Sequence, residues 1–335
     1  MAEIKSQNKK RYDGLDGLRT IACIGILMMH MRANNSYAIS GFAYDTVIAS
    51  FTNFVFLFMV ISAFGMCCGY YDRILNNKIT LEDFYRKRYI KILPFFTFLV
   101  IIDVLMEHSV SALIEGFADI TLLFGLFPNE ISVIGVGWFL GLIFAFYLIF
   151  PFFCVLIGNK RRAWIAFTIA VAMNIVFGFY FEISRSNIVY SLCFFVAGGL
   201  IYLYREQLEE LSKKYRVLCT AFIAVAVILY YAMGSYTLTE LLIDLSLILF
   251  AIGSKSGGLL QNRFTRFFSS ISMEIYLSHM VIFRVIQKLR LNTIMGSGWL
   301  QYFITVIVVL IGAAILAVVF KKCWKLLQNR LVRRA

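Results

Sequence analysis

Long apolar runs separated by short polar stretches dominate this chain, near residues 15–34, 48–70, 91–108, 136–157, 163–181, 187–204, 216–233, 237–253, 270–288 and 298–320. A helix needs about 20 mostly apolar residues to cross a bilayer. Inside lipid, every backbone polar group must be satisfied within the segment or its bundle. The pattern therefore predicts an all-α, polytopic integral membrane protein with about ten transmembrane helices. The stretch from Val110 to Phe127 is apolar too, but Glu115 and Asp119 interrupt it. It is expected to be an interfacial or re-entrant helix on the outer side.

Lys and Arg concentrate in cytoplasmic loops, so charge gives an independent check on the count. With the N-terminus inside, the inner segments between ten helices hold 26 of the 32 basic residues. They include Arg86, Lys87, Arg88 and Lys91 in the second inner loop and Lys321, Lys322 and Lys325 near the end. Arg32, Arg185, Lys288 and Arg290 fall outside, and Arg19 and Arg284 lie within helices. If 110–127 spanned, every later basic cluster would change sides, so ten helices with both ends cytoplasmic are preferred to eleven.

Composition agrees with lipid as the solvent: 61% of the 335 residues are hydrophobic and 15% charged, and the mean hydropathy is +0.80. No Ser/Gly linker or low-complexity stretch marks a second domain. The sequence thus reads as one transmembrane domain over 1–335, with a basic N-terminal segment at 1–14 and a basic tail at 321–335. The start resembles a signal peptide, but no small-residue cleavage pattern follows His30, and a retained first helix is expected. The net charge of +13 sits in clusters between apolar runs rather than on an aromatic-studded polar face, so no nucleic-acid partner is expected. Seven cysteines in or at the ends of apolar runs imply packing rather than a disulfide framework. His30, His108 and His279 show no metal-ligand spacing, and no metal is expected.

An ionisable side chain at mid-membrane costs about 2.5–3.5 kcal/mol on insertion scales, so each one present asks for a partner or a task. The set is Arg19, His30, Asp103, Asp244, Glu274, His279 and Arg284. Arg19 and His30 are eleven residues apart. That is about three turns and about 16 Å of rise, on nearly one face. Arg19 can snorkel and His30 can bond a neighbouring helix, or the buried neutral imidazole can act as a catalytic base. Arg86, Arg88 and Lys91 can serve orientation alone, or hold a polyphosphate ligand presented at the inner surface. His279 can pair with a carboxylate such as Asp244 and line a cavity, or bond within the helix packing. Glu274 and Arg284 are expected to find partners on other helices, Ser62 to be a small helix contact, and His108 to be a solvated surface residue.

Leu15-Asp16-Gly17-Leu18-Arg19, followed after ten residues by His30, resembles the opening motif of the acyltransferase 3 family, the membrane O-acetyltransferases of surface polysaccharides. Phe58 to Phe64 is similar to that family's FFxxSGF, Phe84 to Pro94 to its FxxRRxxRIxP, and Trp138-Phe139-Leu140 with Tyr147-Leu148 and Pro151 to the WFL…YL…P of members lacking a fused hydrolase. Ile271-Ser272, Tyr276-Leu277 and His279 resemble its late motif. The departures are Ala63 where the family has glycine, Lys91 for an arginine, and Ile143 where many relatives carry a glutamate.

The resemblance implies transfer of an acyl group, acetyl from acetyl-CoA or alternatively succinyl, to a carbohydrate or glycolipid hydroxyl at the cell membrane. It assigns His30 as general base or transient acyl carrier, and Arg19 to a CoA phosphate or the developing oxyanion. Arg86, Arg88 and Lys91 would hold the nucleotide end, and Ser62, Trp138, Asp244 and His279 would be candidates for the substrate cavity. Membrane lipid surrounds such a protein, and a homo-oligomer is compatible with it. The competing reading is a transporter or flippase for a lipid-linked sugar or small solute, which buried charges would also suit. No inverted repeat between the halves supports it.

Overall fold

The computed structural model describes residues 11–122, 124–126 and 135–332. Lys5, Lys9, Lys10, Arg333 and Arg334 of the basic ends lie outside these. Among the described residues the chain is helical and contains no strand.

Helix α1 spans Gly14–Ala33. A continuous helical run, Ala43–Leu75, contains α2, Phe54–Met66, with π-helical turns on either side at Ala43–Ile48 and Cys67–Tyr71. Then come α3, Leu81–Glu107, and α4, Val110–Ile120. Trp138–Leu156, Lys160–Tyr180 and Ile188–Leu203 form α5, α6 and α7. Arg205–Lys214 and Arg216–Met233 form α8 and α9, and Thr237–Ile252 forms α10. The last three are α11, Arg263–Ser270, α12, Ser272–Lys288, and α13, Trp299–Val332. Polar caps set several starts, with Thr80, Asn159 and Asn187 each accepting a backbone N–H from the first turn of α3, α6 and α7.

Seven helical segments are long and apolar enough to cross a bilayer, and eight if α7 is joined to α8, which bends away from it by 78°. The two remaining apolar runs form α10 and α12, of 16 and 17 residues. At 1.5 Å per residue these reach about 25 Å, short of a hydrocarbon core of about 30 Å. They run inside the bundle rather than against lipid. α4 is too short to cross, and shows Val110, Leu113, Ile114 and Phe117 outward while burying Ala112 and Gly116, as an interfacial helix does. His108 caps α3 in the left-handed region (φ 51°) and is exposed.

In α1 and α5, 67% of the apolar window is buried, against 17% in α6 and α9, so the first pair is central and the second faces lipid. Stacked rings tie the centre together: Phe56 of α2 lies 4.4 Å from Phe194 of α7, and Phe146 of α5 lies 4.3 Å from Phe195. A Cβ on Gly198 would collide with the Val60 carbonyl oxygen and the Ala63 side chain. The close approach of α2 and α7 thus rests on a glycine in α7, opposite the alanine that α2 carries at position 63.

Three contacts in sequence order show that α1 and α12 run parallel. Cys23 donates to the Ser272 carbonyl (3.6 Å), His30 meets His279, and Gln287 donates to the Asn34 carbonyl (3.1 Å). α13 runs against them, since Tyr302 reaches the Met28 carbonyl (2.9 Å) while Lys321 reaches the Ser270 carbonyl (2.6 Å). The start of α1 and the distal part of α13 therefore share one face of the bundle. Two charged residues of α12 find partners on other helices, Arg284 on Asp103 of α3 (2.5 Å) and Glu274 on Lys321 of α13 (2.9 Å).

Candidate active site

A cavity of about 570 Å³ opens among α1, α2, α3, α5, α12 and α13. Arg19, Arg88, Lys91 and Lys321 all line it. Arg88 and Lys91 are three residues apart on α3 and so share a face. Arg86, two residues before Arg88, turns away: its side chain is 63% exposed and pairs with Asp83 at 2.6 Å. Of the three cations expected to hold the nucleotide end, two reach the cavity and Arg86 does not, because a two-residue step rotates a side chain by about 200° around a helix.

Each cation is oriented by its surroundings. Arg88 donates to the Tyr70 hydroxyl (2.5 Å) and lies over the Tyr70 ring at 4.6 Å. Arg19 makes a long contact to Asp16 (3.4 Å), which is also held by Arg11 (2.6 Å) and Ser269 (2.7 Å). A Cβ on Gly65 would sit 3.0 Å from the Arg19 guanidinium, so glycine there leaves room for it. Lys321 bonds Glu274, the carboxylate that faces the cavity beside these four cations. A smaller cavity of about 360 Å³ shares Arg19 and Gly65 with the first and continues toward Arg11 and Tyr12.

Phe58, Phe139 and Tyr276 line the other side of the main cavity and touch one another, with ring centroids 5.7–6.5 Å apart. Tyr276 in turn contacts His279 (6.0 Å), whose ring lies 5.0 Å from that of His30. Neither histidine lines the cavity itself. The aromatic cluster thus stands between a cationic chamber and a histidine pair. The Nδ1 of His279 lies 2.6 Å from the Tyr276 carbonyl oxygen and 3.3 Å from that of Ile275, so its bond is to its own helix rather than to Asp244.

Ser62 lines the cavity, whereas Trp138 lies beneath the Arg185 guanidinium at 5.5 Å. Asp244 is buried with Oδ2 unpartnered, and so is its helical neighbour Glu240 at Oε2. Arg185, read from the sequence as an outer-loop charge, folds inward. It donates to the Thr52 carbonyl (2.8 Å) and hydroxyl (3.1 Å) and lies over Phe56 at 5.1 Å. It is close enough to interact electrostatically with His30, Tyr276 and Glu240. Burial lowers its pKa from the ordinary value and the Glu240 charge opposes this, but a guanidinium stays charged. Two site residues, Arg185 and Lys321, were thus hidden among residues whose charge already had an explanation in orientation.

The acyltransferase domain of known families matches residues 12–318, nearly the whole described chain. The chain belongs to the acyltransferase 3 family. No curated protein and no solved structure matches it. The protein is therefore a multi-pass membrane acyltransferase, and membership of this family favours group transfer over the transporter reading. In this acyltransferase the matched segment runs from Tyr12 to Val318 and includes Arg19, His30, Arg88 and His279. Lys321 lies three residues beyond it.

Proposed function

We propose that this acyltransferase moves an acetyl group from cytoplasmic acetyl-CoA to a hydroxyl of a cell-surface or lipid-linked carbohydrate, in the plasma membrane. One observation carries the reading: four cations face a single cavity at one end of α1, and a pair of histidines stands at the other end. The cation-bearing face is the one that holds the start of α1 with Arg11 and the distal part of α13 with Lys321, which by the positive-inside bias is the cytoplasmic face.

The chamber fits a polyphosphorylated donor. Arg88, Lys91, Arg19 and Lys321 offer fixed N–H donors to phosphate oxygens, and Arg88 can do so with a planar fork. Acetyl-CoA, when bound, supplies an activated acyl carbonyl at the end of a long flexible arm. The eleven residues from Arg19 to His30 rise about 16 Å, so a donor anchored at Arg19 must extend past Tyr276 to meet His30. The same distance favours phosphate over the oxyanion as the group Arg19 holds.

At the far end, His30 removes the proton from the acceptor hydroxyl, because a neutral alcohol is too weak a nucleophile for a thioester. Arg185, held by Thr52 and close to His30, is the cation placed to steady negative charge that develops there. The cluster of Phe58, Phe139 and Tyr276 keeps the chamber from opening directly onto the histidines, which limits hydrolysis of the donor.

The test is an acetyl-transfer assay in envelope membranes with label in the acetyl group, read as base-labile ester on surface glycan. Wild type transfers label, while His30→Ala and Arg88→Ala do not at low donor concentration. Full transfer by His30→Ala rejects the assignment of the base. Label that remains in acetyl-CoA with wild type rejects the acetyl donor.

A further inference from the structure

His279 is 1% exposed, and its Nε2 has no hydrogen-bond partner. Its Nδ1 lies against two carbonyl oxygens, which only accept, so Nδ1 carries the ring proton. The proton inventory of a neutral imidazole then leaves Nε2 as a bare lone pair. A buried acceptor without a donor is uncommon and demands an explanation. No carboxylate supplies one, since the Nδ1 position is already taken by the helix backbone and a carboxylate at Nε2 would meet a second lone pair.

The nearest ring is that of His30, 5.0 Å away between centroids and tilted by 48°. Among the described residues no protein group hydrogen-bonds the His30 ring, so no such bond already fixes which of its nitrogens carries the proton. The parallel run of α1 and α12 holds the two histidines at one level, with Cys23 and Ser272 in contact below them and Asn34 and Gln287 above.

We infer that His279 is the positioning residue for His30, its bare Nε2 accepting the N–H of the His30 ring and so turning the other, unprotonated nitrogen toward the acceptor hydroxyl. The inference rests on the reading of His30 as the base. It makes a directed chain in which His30 N–H donates to Nε2 of His279, and Nδ1–H of His279 donates to the Tyr276 carbonyl. Each bond polarises the next, and the logic is that of any base held in one tautomer by a third group.

The transfer step balances without a further reagent. The hydroxyl O–H bond breaks, and its proton goes to the free nitrogen of His30. The oxygen electron pair forms the new bond to the acyl carbon, the carbon–sulfur bond breaks, and the leaving thiolate takes the proton back from His30. His279 gains and loses no proton; it accepts a hydrogen bond from the His30 ring in both its neutral and its charged form.

The test compares His279→Leu with His279→Gln in the same membrane assay, using acetyl-CoA labelled in the acetyl group. Gln can present an acceptor oxygen near the position of Nε2, and Leu cannot. His279→Leu is expected to lower kcat about 10- to 100-fold, within the range of general-base contributions, with the KM for acetyl-CoA unchanged, and His279→Gln to recover a large part of that loss. Unchanged KM also reports an intact donor site, which separates the effect from misfolding. Full transfer by His279→Leu, equal loss in both variants, or a loss that appears as a raised acetyl-CoA KM overturns the positioning role. If His30→Ala abolishes transfer while His279→Leu is neutral, only this inference fails. If His30→Ala transfers at the wild-type rate, the reading of the base fails with it.

Discussion

At the Arg19 end of the site, four cations face an open cavity of about 570 Å³. Lys321 has a carboxylate partner and Arg88 a tyrosine. Toward His30 lie Arg185 and more unfinished bonding: Nε2 of His279, Oε2 of Glu240, Oδ2 of Asp244 and Nε of Arg185 are buried and unpartnered, against Nε of Arg88 at the Arg19 end. On the proposed reading the first end takes a ligand that brings strong negative charge from water and leaves again. The second is enclosed and holds polar atoms that, on the same reading, are completed by the His30 ring and by the acceptor, as in a preorganised reaction centre. In this proposal binding and chemistry are separated along one helix, which lets each be disturbed alone.

The largest break in this comparison is expected from His30→Ala, which should cut acyl transfer by about 10²- to 10⁴-fold and leave donor binding as in wild type. Arg88→Ala should do the reverse. Its charge-assisted bonds are each worth about 1.5–3 kcal/mol, so the acetyl-CoA KM should rise about 10- to 100-fold with kcat retained at saturation. Arg88→Lys keeps charge but loses the fork and should fall between.

Arg185→Ala sharpens the other side. It should lower kcat about tenfold, less than the roughly 10²- to 10³-fold cost of removing a directly bonded oxyanion donor, and leave the acetyl-CoA KM alone. An effect on donor KM instead would place Arg185 with the cavity. Lys321→Ala should raise the donor KM only a few-fold, because the side chain is 43% exposed and shares its charge with Glu274. Arg86→Ala should match wild type in both constants, since that guanidinium faces away from the cavity.

Much of the site was legible because its residues broke a local rule. Arg19 and His30 are ionisable in an apolar run, and their eleven-residue spacing alone puts them on nearly one face. Arg88 and Lys91 were legible as a pair at helical spacing, yet the same cluster also offered Arg86, because a charge count along the chain ignores which way each side chain turns. Lys321 and Arg185 were not legible. Each sat where orientation or an outer loop already accounted for a positive charge, and only tertiary packing brings them to the site. Glu274 and Arg284 could be expected to pair off their own helix, but not that Lys321 and Asp103 would be the partners.

The apolar pattern located every long helix, while the length of α10 and α12 escaped it. A hydropathy run includes flanking loop residues that the helix does not, so the runs near 237–253 and 270–288 read as spans although their helices have 16 and 17 residues. Burial explains their shortness. A helix enclosed by others need not match the bilayer, because its ends meet protein rather than lipid. α12 carries Glu274, Tyr276 and His279, so the helix that bridges the two ends of the site is one of these short ones.

The separation of binding from chemistry is tested most directly by measuring equilibrium binding of acetyl-CoA to the purified full-length protein in nanodiscs, alongside transfer in membranes, for His30→Ala and Arg88→Ala. The account predicts that His30→Ala binds acetyl-CoA as tightly as wild type and transfers at least about 10²-fold more slowly, while Arg88→Ala binds it at least about tenfold more weakly, the effect of losing about 1.4 kcal/mol. Equal weakening of binding in both variants, or wild-type affinity in Arg88→Ala, would contradict it.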